Sequence, residues 1–174
     1  MRPVHVAVSF GVVALFATAT ARAETKVELK GVHICCGQCV RAVAGIVKSV
    51  DGASAKCDQK AKTVTITAAD DETARKAIAA LAKGGFHGTT DNKDLAMKAE
   101  EGVPSGKVKS VKVSEIHNCC PACCRDIKAV LKKVDGVTKD TARPRATTFE
   151  VSGDFDAAEL VKALNEAGFH AKVK

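Results

Sequence analysis

The chain has neither tryptophan nor tyrosine among its 174 residues, and only six phenylalanines, four prolines and two methionines. So little aromatic surface excludes a base-stacking platform for single-stranded nucleic acid. No run of lysine or arginine is longer than two residues, and with a net charge of only +7 this sets nucleic acid aside as a partner. Paired carboxylates, a Ser-His-Asp arrangement and a Gly-rich phosphate loop are also missing, so hydrolase and nucleotide-dependent chemistry find no support and the chain reads as a non-enzyme. What is present is a globular balance of 46% hydrophobic and 27% charged residues. That balance excludes a disordered tail, a collagen-like repeat and a polytopic membrane protein.

The N-terminus reads as a targeting segment. Arg2 supplies a positive start, residues 6 to 17 an apolar core, and Ala21-Arg22-Ala23 a small-x-small cleavage site before Glu24. The competing reading is an uncleaved anchor, because residues 3 to 21 carry no formal charge. The second half of that stretch is Ala and Thr, which favours cleavage after residue 23, and no Cys follows it to carry a lipid. Removal of residues 1–23 leaves 151 residues with a net charge of +5, expected in the periplasm or outside the cell and off the membrane.

The remaining chain is an internal duplication. Residues 33–52 over 117–136 share nine identities in twenty positions at a constant offset of 84, among them His33/His117, Cys35/Cys119, Cys36/Cys120 and Cys39/Cys123. Gly85-Phe86-His87 returns as Gly168-Phe169-His170 at an offset of 83. Residues 24–90 and 111–174 are thus read as two small domains, joined by a polar connector over 91–110 that permits independent motion.

Within each copy the hydrophobic period changes in a definite order. Val27 and Leu29 alternate as a strand, as do Val111 and Val113. Val40, Val43, Ala44 and Val47 then recur at helical spacing, matched by Cys124, Ile127, Val130, Leu131 and Val134. A weak strand from Ala53 to Cys57, a clearer one at Val64 and Ile66 (Phe149 and Val151 in copy two), a second helix and a short last strand follow. The second helix of copy two is expected to be capped by Asp154. The order β-α-β-β-α-β is the split βαβ, ferredoxin-like arrangement of class α+β: four antiparallel strands with two helices on one face.

Each copy puts its cysteines where the first strand meets the first helix: His33-x-Cys35-Cys36-x-x-Cys39, and His117-x-Cys119-Cys120-x-x-Cys123-Cys124. Two cysteines three apart at a helix start share one side, close to unpaired N–H groups and the positive helix end, which favours thiolates. Paired thiolates suit a soft, low-coordinate metal ion.

On these motifs, with the Val-Asp-Gly helix exits at 50–52 and 134–136 and the Gly-Phe pairs, the chain resembles the heavy-metal-associated domain of copper- and mercury-handling proteins, in tandem. The resemblance implies binding of Cu(I) or a similar ion by Cys36 with Cys39 and by Cys120 with Cys123. It further implies ligand exchange with a metal-donor or metal-acceptor protein.

The departures from that pattern widen the ligand set. Where the family usually has an inward Met, Ile34 can serve, whereas Asn118 is not expected to. Cys35 and Cys119 add a third thiol to each loop, and His33 and His117 add an imidazole if residues 33–35 stay extended, since alternate side chains then share a face. Such a set accepts tetrahedral Zn(II) and also Hg(II) besides Cu(I). Cys57 and Cys124 fit core positions better. His87 and His170 read as surface residues or as supports of the site, and Phe86 and Phe169 as apolar shields. The chief rival function is a thiol-disulfide redox protein, prompted by Cys120-Pro121-Ala122-Cys123; a disulfide-stapled scaffold ranks third, because seven of the eight cysteines crowd two loops.

Overall fold

A computed structural model describes residues 23–174. Residues 1–22, nearly all of the segment read as a targeting peptide, lie outside the described residues. No helix among the described residues is long and apolar enough to cross a membrane.

The first half runs β1 (Thr25–Lys30), α1 (Gly37–Lys48), β2 (Ala53–Asp58), β3 (Thr63–Ala68) and α2 (Asp71–Lys83). Antiparallel pairing in the order β1-β3-β2 sets Val27 opposite Ile66 and Leu29 opposite Val64. These four face inward and are buried, because alternation gives one face of the sheet to the core. Onto them pack Cys39, Val43 and Val47 of α1 and Ala74, Ala77, Ile78 and Leu81 of α2, all buried. Each fully buried aliphatic side chain in this layer contributes about 1.5–3 kcal/mol. Asp70 caps α2 by accepting from the Thr73 N–H at 2.8 Å, as the polar residue ahead of an apolar stripe should.

The second half follows with β4 (Lys107–Ser114), α3 (Pro121–Leu131), β5 (Val137–Asp140), β6 (Phe149–Asp156), α4 (Ala157–Glu166) and β7 (Lys172–Val173). Its sheet has four antiparallel strands in the order β5-β6-β4-β7. The described residues are therefore α+β, with four α-helices and two antiparallel sheets.

Four details depart from the expectations. The last strand of the first half is reduced to a single antiparallel bridge, Lys30 with Thr89, whose two backbone hydrogen bonds are 2.7 and 2.9 Å. It ends there because Gly31, at φ +76°, turns β1 away after Lys30.

Secondly, α4 is capped by Asp156 rather than Asp154. Strand β6 continues far enough to bury Phe155, so the helix starts at Ala157, and Asp156 accepts from the N–H groups of Ala158 and Glu159. Asp154 pairs instead with Lys109 at 3.1 Å on the surface.

Thirdly, Asn118 does point inward and is buried. Its amide donates to the carbonyls of Arg143 (2.8 Å) and Ala146 (3.0 Å), which supplies by hydrogen bonding what an apolar side chain would supply by packing.

Fourthly, residues 91–110 are not a free tether. A 3-10 turn at Lys93–Leu95 buries Leu95, the Asp94 carbonyl accepts from Arg75 of α2, and β4 already begins at Lys107. The Glu100 carboxylate lies 3.3 Å from Nε2 of buried His170 in the second half.

Candidate metal centre

Both cysteine loops are built alike. Cys36 and Cys120 occupy the N-cap positions of α1 and α3 with nearly the same extended backbone (φ −155° and −150°), and neither side chain makes a capping hydrogen bond. Three residues on, Cys39 and Cys123 are buried beneath the first turn of each helix. The first-turn N–H groups have no partner within the helix, so sulfur lies beside a cluster of donors.

The two loops face each other across a pseudo-twofold contact. Phe86 and Phe169 form an antiparallel bridge at its centre. The Gly168 carbonyl accepts from the N–H of His33 (3.3 Å) and of His87 (3.0 Å), while the Gly85 carbonyl accepts from His117 (3.4 Å) and His170 (3.1 Å). A Cβ on Gly85 would collide with the backbone nitrogen of His117, and one on Gly168 with the Gly31 carbonyl and the His33 nitrogen. Glycine at these two positions, both at positive φ, is therefore required by the approach of the other half as well as by the helix exit.

This contact brings the sulfurs of the two loops together. The Cys35 sulfur lies 3.7 Å from Cys39 and 3.5 Å from Cys123, and Cys39 lies 3.8 Å from both Cys119 and Cys123. Cys36 is 3.7 Å from Cys39, and Cys120 is 3.5 Å from Cys123 and 4.0 Å from Cys35. Thiolates on one tetrahedral ion with bonds of about 2.3 Å are about 3.8 Å apart, so these sulfurs stand at distances that a common metal ion can span.

The histidines complete the set. Among the described residues, candidate ligand atoms within 4.8 Å of one another form three groups: Cys39, His117, Cys119 and Cys123; His33, Cys35 and Cys123; and Cys35, Cys36 and Cys120. All eight residues named as ligands from the sequence are thus brought together, and His33 and Cys35 do share a side. Each imidazole is clamped by the opposite half: His33 stacks on Phe169 and His117 on Phe86, both with ring centroids 4.1 Å apart. Their Nε2 atoms are buried without a hydrogen-bond partner, although Asp126 stands 3.8 Å from that of His33.

Electrostatics divides the thiols. The N–H groups of Cys123 and Ala122 beside its sulfur pull Cys120 down to about 7. Cys39 and Cys123 behave as one coupled pair: Cys123 donates toward Cys39, which drives Cys39 down and holds the proton of Cys123. Desolvation by the crowded neighbouring sulfurs raises Cys35, although the residue as a whole is exposed, and takes Cys119 up to about 12. Burial also lowers His33, keeping its imidazole neutral and fit to ligate.

Other singled-out residues lie elsewhere. Cys124 is buried in the core, and Cys57 is half-buried opposite Val64. His87 and His170 belong to none of the three ligand groups; their rings run parallel, 6.4 Å apart. Sequence reasoning missed the cross-copy role of Gly85 and Gly168, whose only signal was that the Gly-Phe-His triplet recurs.

No family model and no curated protein sequence matches this chain. Among solved structures it is similar to a copper-binding domain from HMA7, a P-type ATPase, with 23% identity over 38% of this chain and 95% of that one, at a TM-score of 0.36. The N-terminal soluble domains of Bacillus subtilis CopA align over 88% of this chain and 95% of theirs with 18% identity and a TM-score of 0.35. The first two RRM domains of the yeast poly(U)-binding protein Pub1 align over 86% and 98%, with 9% identity and a TM-score of 0.26. Likenesses this distant decide nothing about function, and the chemistry of the sulfur cluster has to carry it.

Proposed function

We propose that this chain is an exported, non-enzymatic metal-binding protein that takes up soft ions, Cu(I) foremost and Hg(II) or Zn(II) as alternatives. Cys36, Cys39, Cys120 and Cys123 are the principal ligands, Cys35 and Cys119 the additional thiolates, and His33 and His117 the nitrogen donors. The single observation behind this reading is the contiguous set of six sulfurs with neighbours at 3.5–4.0 Å, grouped with the imidazoles of His33 and His117. Thiolates select soft ions over Mg²⁺ or Ca²⁺, and each thiol releases its proton to solvent on ligation. The rim sulfurs, of which Cys35 is exposed and Cys36 and Cys120 half-exposed, offer a partner a point of attack for ligand exchange. Transport, transfer and sequestration all follow from that chemistry.

A second reading, thiol-disulfide exchange, draws on one observation: Cys120 combines a lowered pKa with Cys123 at 3.5 Å. Elemental analysis of residues 24–174, purified anaerobically and with free thiols counted in the same sample, separates the two. Stoichiometric soft metal, with thiols that become reactive only on chelation, supports metal binding. No uptake after full reduction, with reversible Cys36–Cys39 and Cys120–Cys123 disulfides, overturns it in favour of redox chemistry.

A further inference from the structure

Building on the soft-metal reading, we propose that the two loops make one thiolate-bridged site for several ions, with Cys39 and Cys123 shared between ions, so that the two halves load together. The adjacency of sulfurs across the halves carries this. Cys39 has Cys35 and Cys36 of its own half at 3.7 Å and Cys119 and Cys123 of the other at 3.8 Å. Cys123 has Cys119 at 3.7 Å and Cys120 at 3.5 Å on its own side, and Cys35 at 3.5 Å and Cys39 at 3.8 Å across. Distances within a loop (3.5–3.7 Å) and between loops (3.5–4.0 Å) overlap, so no gap divides the six sulfurs into two sets of three.

The ligand groups show what sharing means. Cys39, Cys119, Cys123 and His117 surround one position. His33, Cys35 and Cys123 surround its counterpart, with Cys39 only 3.7 Å from Cys35. Cys35, Cys36 and Cys120 outline an outer position at the rim. Each position draws on both halves. A thiolate keeps lone pairs after binding a first ion, and a sulfur wedged between two positions bridges them.

Two cations this close would repel strongly in a water-poor interior unless anionic sulfur lay between them. The buried pair Cys39 and Cys123 provides that sulfur. The histidines tie the two halves together in another way, since His33 stacks on Phe169 and His117 on Phe86 of the other half. Half of the molecule alone therefore lacks both the bridging partner and the clamp. A protein built this way fills over a narrow range of free metal concentration.

The test is an anaerobic titration of reduced residues 24–174 with Cu(I) supplied from a competing chelator, read by native mass spectrometry and by X-ray absorption. The expected result is two or more ions per chain, a one-ion species far below the roughly half of molecules that two equal independent sites would show at half-loading, and a short metal–metal scattering shell. Cys123→Ser, checked for folding by circular dichroism, should weaken loading in the first half as well, whereas Cys57→Ser should leave loading unchanged. A statistical one-ion population without a metal–metal shell, or one ion retained at unaltered affinity in Cys123→Ser, would overturn the shared site while leaving soft-metal binding intact. Failure to bind any ion would sink both. The two wild-type readouts decide the matter even if the variant does not fold.

Discussion

The sulfurs of Cys39 and Cys123 lie 3.8 Å apart although 84 residues separate them in the chain. They hold equivalent places in the two cysteine loops, and what brings them together is the contact between the halves that also sets Phe86 against Phe169 and His87 against His170. Symmetry of this kind turns a duplicated loop into a single cluster, because residues near the axis meet their own counterparts.

The contact itself is open to mutation. Gly168→Ala places a Cβ against the Gly31 carbonyl and the His33 nitrogen at a residue with φ +85°. Gly102→Ala meets open space at a similar φ of +77° and serves as the control for backbone strain alone, about 1–2 kcal/mol. Thermal unfolding should show a clearly larger loss of stability for Gly168→Ala than for Gly102→Ala. Equal losses would mean that the two halves do not close on each other as described.

Asn118→Ala should destabilise by about 1–3 kcal/mol, because the Arg143 and Ala146 carbonyls lose the donor that satisfies them. Urea unfolding of the metal-free, reduced protein gives the number. A change near zero would show that water replaces the amide at no loss.

At the start of α4 the two candidate caps are separable. Asp156→Ala removes the acceptor for the Ala158 and Glu159 N–H groups and should lower stability by about 1 kcal/mol. Asp154→Ala only breaks an exposed ion pair with Lys109, so its melting temperature should stay at the wild-type value. The reverse ranking would mean that β6 ends earlier and the helix starts at residue 155.

Burial and the neighbouring His170 depress His87 to about 4 from an ordinary 6.5. In the unfolded chain His87 takes up a proton below about pH 6.5, whereas the folded protein resists protonation until about pH 4. The folded state therefore loses stability as pH falls through that window, by about 2 kcal/mol once partial exposure is allowed for, and loses no more below it. Urea midpoints at pH 7.5 and 4.5 for wild type and His87→Asn isolate this contribution. An identical pH dependence in both proteins would contradict it.

Thiol reactivity should be uneven. Cys120, at about 7, is largely thiolate just above neutral pH, whereas Cys119, at about 12, is not. Brief iodoacetamide labelling of the reduced protein at pH 7.5, mapped by mass spectrometry, should mark Cys120 well before Cys119. Bound soft metal should suppress the labelling of both.

Local pattern made much of this protein legible. The alternation at Val27 and Leu29, the helical stripe from Val43 to Val47 and their repetition 84 residues on are driven by which side chains leave water, and short-range periodicity reports that directly. The eight residues proposed as ligands stand out in the sequence as well, because residue type and spacing at a helix start constrain the chemistry before any tertiary contact forms. Local pattern cannot choose the cap of α4, since Asp154 and Asp156 are equally good caps locally and only the burial of Phe155 selects Asp156. The inward place of Asn118 has no local sign either, because its partners are carbonyls 25 and 28 residues ahead.

By itself, then, the sequence determined the β-α-β-β-α order of the first half, the β-α-β-β-α-β order of the second, the cysteine loops and the donor types at each. Tertiary structure alone decided that the loops meet, that Gly85 and Gly168 are the points of closest approach, and that the connector is pinned by Leu95 and Glu100 instead of swinging free. The physical reason is one of range. Hydrophobic period, capping and thiolate stabilisation act over a few residues, whereas the packing of one surface on another depends on the full shape of both and leaves no periodic trace along the chain.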